Sequence, residues 1–151
     1  MSSLLPPYNL HLPTGNLPGA IRVLVVDDDP AVLYAYRKLI EKEGMTVDIS
    51  ANLEDAVRNV RRHDYLAVIA DLRLAGIDNS DGLEILRVVQ NERPGTKTIL
   101  TTGYGSNDIE KTARNLGVSH YFKKPVQPSD ILRVLREFHT GAFCPPSTKP
   151  A

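Results

Sequence analysis

The chain has 151 residues, a formal net charge of zero at pH 7 and one cysteine, Cys144. This length fits a single domain that buries its own core. The neutral balance argues against a nucleic-acid surface, and a lone cysteine excludes an intramolecular disulfide or a cysteine-based zinc site. No apolar run approaches the ~20 residues of a membrane-spanning helix.

Charge and proline are distributed unevenly along the chain. Of the 18 basic and 18 acidic residues, all but Lys149 lie between Arg22 and Glu137. Seven of the 11 prolines lie outside that range. We therefore predict an uncharged proline-rich tail over residues 1–20, a globular domain over residues 21–139 and a second proline-rich tail over residues 140–151.

Apolar runs alternate with amphipathic helical segments through the central domain. Ile21–Val26 is nearly continuous in apolar residues, which is typical of a strand buried on both faces. Asp29 and Pro30 then form a helix start, and Gly44 a helix end. Further strands are predicted at Met45–Ile49, Tyr65–Ala70, Thr98–Thr101 and Ser119–Lys123, and further helices from about Leu53, Asp81, Asn107 and Pro128. Five strand–helix units predict a single doubly wound α/β fold with a parallel sheet.

Polar residues follow four of these strands at the point where each ends. They are Asp27 and Asp28, Asp71, Thr102 and Lys124. Ligands of open parallel sheets bind at this edge. Three carboxylates there would repel one another, but Lys124 and a divalent cation such as Mg²⁺ balance their charge. A carboxylate can also attack phosphorus to give an aspartyl phosphate, while a metal, a lysine and a hydroxyl stabilise the phosphoryl oxygens.

Five segments resemble the landmarks of one known family. VLVVDDDP, VIADLRL, DGLEIL, ILTTGYGS and YFKKPV are similar, in order and spacing, to motifs of the receiver domain of two-component response regulators. The resemblance covers Ile21–His139. It implies a flavodoxin-like fold of the chemotaxis type, with five strands in the order 2-1-3-4-5 and five helices.

The resemblance also implies roles for the acidic residues. Asp71 corresponds to the phosphoacceptor and Asp28 to a direct ligand of Mg²⁺ or Mn²⁺. Asp27 acts on the metal mostly through bound water, and the backbone carbonyl of Arg73 joins Asp71 and Asp28 as the third protein ligand.

Three further positions match the residues that respond to phosphorylation in the family. Thr102 corresponds to the switch hydroxyl, and Lys124 to the phosphate-pairing lysine that precedes a cis peptide bond. Tyr121 occupies the aromatic switch position, although a plain packing role is an equal alternative. Two departures are a longer loop between Asp71 and Asp81 and a glycine, Gly103, in place of the more frequent alanine.

The implied function is a cytoplasmic signalling switch. A histidine kinase or phosphotransfer protein supplies the phosphoryl group. The chain catalyses only its own phosphorylation and dephosphorylation, and it binds neither nucleic acid nor membrane. The implied output is an unknown partner or a homodimer, contacted through the fourth helix, fifth strand and fifth helix.

Two other functions fit parts of the pattern. One is a magnesium-dependent phosphohydrolase that forms an aspartyl phosphate, but many such enzymes carry a second acid two residues after the nucleophile, where this chain has Arg73. The other is a pseudo-receiver that binds a partner without phosphorylation. The complete set of acids, lysine and threonine argues against it.

Overall fold

Residues 21–74, 81–103 and 107–141 are described by the computed structural model, in which strands and helices alternate. The elements are β1 (Arg22–Val26), α1 (Pro30–Glu41), β2 (Thr46–Ser50), α2 (Leu53–Arg62), β3 (Ala67–Asp71), α3 (Asp81–Glu92), β4 (Lys97–Thr102), α4 (Asn107–Asn115), β5 (His120–Lys123) and α5 (Pro128–Thr140). The predicted tail over residues 1–20, the C-terminal tail beyond Gly141 and the longer loop over residues 75–80 lie outside the described residues.

The five strands form one parallel sheet in the order β2-β1-β3-β4-β5, which confirms the predicted topology. Val26 pairs with both Ser50 and Ala70, and Asp71 pairs with Thr101. The carboxyl ends of β1, β3 and β4 therefore lie side by side at one edge. This register brings the acidic residues after β1 next to the acid that ends β3.

Helices cover both faces of the sheet. Helices α1 and α5 pack on one face through buried residues such as Leu33, Ile40 and Leu135. Helices α2, α3 and α4 pack on the other face through residues such as Val60 and Leu86. None of the helices in the described ranges is long and apolar enough to cross a membrane.

Local sequence signals account for most of the element boundaries. The Asp29 side chain caps α1 by accepting a hydrogen bond from the Ala31 amide at 2.9 Å, and Pro30 begins the helix as predicted. Strand β3 begins at Ala67 rather than at Tyr65. The pairing of β3 with β1 starts at Ala67. Tyr65 precedes it, and its hydroxyl donates to the Asp48 carboxylate at 2.7 Å.

The start of α3 packs closely against the backbone that follows β3. The Gly82 amide donates to the Leu72 carbonyl at 3.0 Å. A β-carbon at residue 82 would lie 2.6 Å from the Leu72 Cα and 2.9 Å from the Asp71 carbonyl oxygen. Only glycine, which has no β-carbon, allows α3 to pack this closely against the backbone of Asp71 and Leu72.

Candidate functional site

Three carboxylates meet at the carboxyl edge of the sheet. Asp27 and Asp28 follow β1, and Asp71 is the last residue of β3. One oxygen of each lies within 4.8 Å of the others. Asp27 and Asp71 are buried, with 4% and 9% of their surface exposed, whereas Asp28 is exposed. The cluster is therefore buried on one side and open to solvent at Asp28.

Hydrogen bonds orient the two buried carboxylates. Asp27 Oδ1 accepts from the Asp29 amide at 2.9 Å, and Asp71 Oδ1 accepts from the Arg73 amide at 3.3 Å. The ammonium of Lys124 donates to Asp71 Oδ2 at 3.0 Å and lies 3.8 Å from Asp27 Oδ2. Lys124 is thus hydrogen-bonded to Asp71, whereas its distance to Asp27 is too long for a hydrogen bond.

The protonation equilibria of the site reflect crowded negative charge. Burial raises the pKa of Asp27 above its usual 3.8, and the charges of Asp71 and Asp28 add to this, although the Asp29 amide and Lys124 oppose it. Burial alone would lower the pKa of Lys124. The hydrogen bond to Asp71 and the charges of the three carboxylates outweigh burial, so the net shift in the pKa of Lys124 is upward.

The donor set fits a hard divalent cation. Three carboxylates face one ammonium, which leaves two uncompensated negative charges when all are ionised. Mg²⁺ prefers carboxylate oxygens and retains several waters, so the exposed side at Asp28 suits it. The Arg73 backbone borders the cluster through its amide. The metal-binding roles of Asp27, Asp28, Asp71 and the Arg73 carbonyl remain predictions.

The predicted switch residues lie at the ends of β4 and β5. Thr102 is the last residue of β4 and is 1% exposed, and its carbonyl accepts a hydrogen bond from the Lys124 amide at 2.8 Å. The peptide bond between Lys124 and Pro125 is cis, as the resemblance implies. A backbone hydrogen bond therefore connects the end of β4 to Lys124, the lysine that contacts Asp71.

Tyr121 already lies inward in this structure. It pairs with Leu100 across β4 and β5 and packs, partly buried, against the core beneath α2, α3 and α4. Its hydroxyl is shielded from solvent and has no hydrogen-bond partner among the described residues. Burial, together with the charge of Glu110, raises the pKa of Tyr121, while Arg114 opposes this.

One residue beside the site was not singled out from the sequence. The helical spacing places Tyr36 on the apolar face of α1, which predicts a core role only. In the structure it lines a cavity of about 490 Å³ together with Asp27, Thr101 and Lys124. Burial and the charges of Asp27 and Asp71 raise the pKa of Tyr36. The sequence feature that could have indicated this position is the phenol hydroxyl of Tyr36, since the apolar face of α1 needs only an aliphatic side chain there.

Comparison with known proteins identifies the class. The family model described as "Response regulator receiver domain" matches residues 23–136, which is most of the chain. The chain therefore belongs to the response regulator receiver domain family, as the sequence motifs predicted. Receiver domains of this family are signalling domains.

Individual relatives agree with this membership. The chain is 30% identical over 132 residues to the acid tolerance regulatory protein ActR of Rhizobium meliloti (strain 1021), covering 87% of this chain and 66% of ActR. It is 29% identical over 113 residues to the photosynthetic apparatus regulatory protein RegA of Rhodobacter capsulatus, covering 75% of this chain and 60% of RegA. The chain thus spans 66% of the length of ActR and 60% of the length of RegA.

A solved structure matches over nearly its whole length. The CheY-like response regulator receiver domain protein from Methanospirillum hungatei JF-1 superposes with a TM-score of 0.75 at 30% identity. The match covers 82% of this chain and 96% of that chain. The α/β fold with strand order 2-1-3-4-5 is thus that of CheY-like receivers.

Proposed function

We propose that this chain is a phosphoacceptor switch in which Asp71 receives a phosphoryl group in an Mg²⁺- or Mn²⁺-dependent reaction. A histidine kinase or the histidine of a phosphotransfer protein supplies the group. The family membership supports the class of donor and a cytoplasmic place of action. The same membership supports a signalling role in which the chain acts chemically only on its own phosphorylation and dephosphorylation.

The observation that carries the proposal is the arrangement around Asp71. Its carboxylate accepts a hydrogen bond from the Lys124 ammonium at 3.0 Å. One of its oxygens lies within 4.8 Å of a carboxylate oxygen of Asp27 and of Asp28. An anionic phosphodonor approaches such an acidic site only if positive charge screens it. Lys124 supplies one positive charge, and a bound divalent cation supplies the rest and stabilises the phosphoryl oxygens during transfer.

The chemical step uses groups that this chain provides. A carboxylate oxygen of Asp71 attacks phosphorus, an O–P bond forms, and the N–P bond to the donor histidine breaks. The imidazole leaves with the electron pair of that bond and takes up a proton. Lys124 is placed to donate to the phosphoryl oxygens because it already contacts Asp71. Asp27 and Asp28 would hold the cation, which would neutralise charge on those oxygens.

The signal is proposed to leave through Thr102 and the surface formed by α4, β5 and α5. A new phosphoryl group on Asp71 adds negative charge and acceptor oxygens, and we infer that the Thr102 hydroxyl at the end of the neighbouring strand donates to one of them. The hydrogen bond from the Lys124 amide to the Thr102 carbonyl connects the ends of β4 and β5. The inward position of the Tyr121 ring is the one that we infer phosphorylation stabilises. The output is a partner protein or a second copy of the chain, without nucleic-acid or membrane contact.

Intact-mass analysis after incubation with acetyl phosphate and Mg²⁺ tests the proposal. We expect the wild type to gain one phosphoryl group and to gain none when the cation is chelated. Asp71→Asn should show no gain. Asp29→Asn is the matched control, since it makes the same chemical change next to the cluster and asparagine caps helices as well as aspartate does.

Other outcomes would point to other functions. Absence of any gain in the wild type would favour a binding module that is not phosphorylated. Rapid release of phosphate over many turnovers would favour a phosphohydrolase. Equal labelling of Asp71→Asn and wild type would contradict the assignment of the acceptor.

A further inference from the structure

A groove of about 830 Å³ lies on the outer surface between α2 and α3. Leu53 and Val57 of α2 and Val88 of α3 line it, and each is only partly buried by the described residues of its own chain. Apolar side chains that are grouped and remain partly exposed are often the centre of a contact with another protein.

Charge along this α2–α3 groove changes sign from one end to the other. Helices α2 and α3 each connect two parallel strands on the same face of the sheet, so they run in the same direction. The acids that line the groove lie in the first turns of the two helices and are Glu54, Asp81 and Glu84. The bases that line it lie in the second half of α2 and are Arg58, Arg61 and Arg62. The groove therefore has an acidic end and a basic end, and these charges sum to zero.

The chain neutralises only part of this charge by itself. Three of the six charged side chains form ion pairs within the chain, at 2.8 to 3.4 Å. Glu54 and Asp81 at the acidic end and Arg62 at the basic end form no ion pair with any residue of the described ranges. Each end of the groove thus keeps charge that a partner of opposite sign can pair.

We propose that the α2–α3 groove is a contact surface for a second copy of this chain. A twofold axis through the middle of the groove places the two grooves against each other in opposite directions. The acidic end of each copy then lies against the basic end of the other, and the apolar side chains of both are covered between them. With the axis near Arg58, residue 54 of one copy comes near residue 62 of the other.

The charge pattern favours a second copy over an unrelated partner. A partner surface of one sign would meet repulsion at one of the two ends of the groove. The chain carries both signs at the spacing that the groove requires, and its formal net charge of zero at pH 7 adds no overall repulsion between copies. The contact needs neither phosphorylation of Asp71 nor the surface formed by α4, β5 and α5, so it goes beyond the proposed switch.

Sedimentation equilibrium of the unphosphorylated chain, in chelator and at low salt, tests the contact. We expect the wild type to form dimers as its concentration rises. Glu54→Arg and Arg62→Glu each bring like charges together at both ends of the dimer, and neither breaks an ion pair described within the chain. Because the twofold axis repeats each change, we expect each variant to dimerise about tenfold more weakly.

An equimolar mixture of the two variants separates loss of the contact from a folding defect. In the mixed dimer the two substituted side chains have opposite charges and face each other, while the native Glu54 and Arg62 pair at the other end. We expect the mixture to regain about the wild-type affinity. Failure to regain it would overturn the proposal.

Lys111→Glu is the matched control, because it reverses the charge of an exposed residue on α4 that does not line the groove. It should dimerise as the wild type does. An equal loss in Lys111→Glu and Arg62→Glu would place the association elsewhere and overturn the proposal. So would a wild type that stays monomeric up to about millimolar concentration, which would leave the groove to a different protein. None of these measurements involves Asp71, so a failure of the phosphoacceptor function would be seen separately.

Discussion

Lys124 and Asp71 form an ion pair at 3.0 Å that joins the residue after β5 to the last residue of β3, with β4 between them. The same ammonium lies 3.8 Å from Asp27, which follows β1. One lysine thus counters the charge of two carboxylates on adjacent strands. A phosphoryl group added to Asp71 would lie next to the positively charged ammonium of Lys124.

Removing this ammonium should slow phosphorylation without abolishing cation binding. We expect Lys124→Ala to accept phosphate from acetyl phosphate about a hundredfold more slowly, since the loss of one donor to a developing oxyanion has effects of this size. Its Mg²⁺ affinity should be at least that of the wild type, because the acidic cluster becomes more negative. Initial rates by intact mass and calorimetric Mg²⁺ titration measure the two effects.

Lys123→Ala is the control for Lys124→Ala. Lys123 is the neighbouring lysine at the end of β5, and it is exposed. Its substitution should leave both the rate and the Mg²⁺ affinity unchanged. If the two variants behave alike, general surface charge accounts for the effect and the ion pair with Asp71 does not.

Thr102→Ala should separate phosphorylation from output. The variant should still accept phosphate, because Asp71, Lys124 and the acidic cluster are intact. It should not gain affinity for a partner or a second copy on phosphorylation. A charge-assisted hydrogen bond contributes about 1.5–3 kcal/mol, or roughly one to two decades in the switching equilibrium. Sedimentation of phosphorylated and unphosphorylated protein measures this gain.

Thr102→Ser tests whether the hydroxyl itself is responsible. It keeps the donor and should restore much of the phosphorylation-dependent association. A wild-type response in Thr102→Ala, or phosphorylation-induced changes confined to α2, would show that the signal leaves by another route.

Asp27→Asn should stabilise the metal-free protein at neutral pH. The folded-state pKa of Asp27 is raised above the unfolded value of 3.8, mainly by burial, so its ionisation opposes folding. This penalty is absent below the unfolded pKa and complete above the folded pKa. The advantage of the variant, measured as the melting temperature in chelator, should therefore appear as the pH rises from about 3.8 and persist at pH 7.

Magnesium should reduce the difference in melting temperature between Asp27→Asn and the wild type. Mg²⁺ should raise the melting temperature of the wild type more than that of Asp27→Asn, because the variant has lost one charge of the cluster. Asp64→Asn serves as the control, since the Asp64 side chain is 92% exposed. A metal-free Asp27→Asn protein that melts below the wild type at pH 7 would contradict the prediction.

Gly82→Ala should destabilise the protein and disturb the phosphoacceptor. The added β-carbon would lie 2.6 Å from the Leu72 Cα and 2.9 Å from the Asp71 carbonyl oxygen, and both are backbone atoms. We expect a loss of about 1–3 kcal/mol in the free energy of unfolding, together with slower labelling of Asp71. Denaturant unfolding measures the first effect.

Gly95→Ala provides the comparison for Gly82→Ala. A β-carbon at residue 95 meets nothing within 4 Å, so its stability should match or slightly exceed that of the wild type. Equal stabilities of the two variants would show that the backbone at Asp71 yields without cost.

The sequence by itself determined the fold and the membership of the site. Buried strand runs alternating with capped helices specify a parallel α/β sheet, and such a sheet aligns the carboxyl ends of its strands. Asp27, Asp28, Asp71 and Lys124 therefore had to lie along one edge of the sheet, and the strand order that the family resemblance implies brings them close together. Asp29 and Pro30 fixed the start of α1 through local hydrogen bonding alone.

Only the tertiary structure decided how these groups share their contacts. The preference of Lys124 for Asp71 over Asp27 depends on the relative placement of three strands and a loop, to within less than an ångström. Helical spacing could not distinguish a core role for Tyr36 from one at a cavity, because both lie on the same face of α1. The inward ring of Tyr121 likewise depends on the space left by residues distant in sequence, which local patterns do not encode.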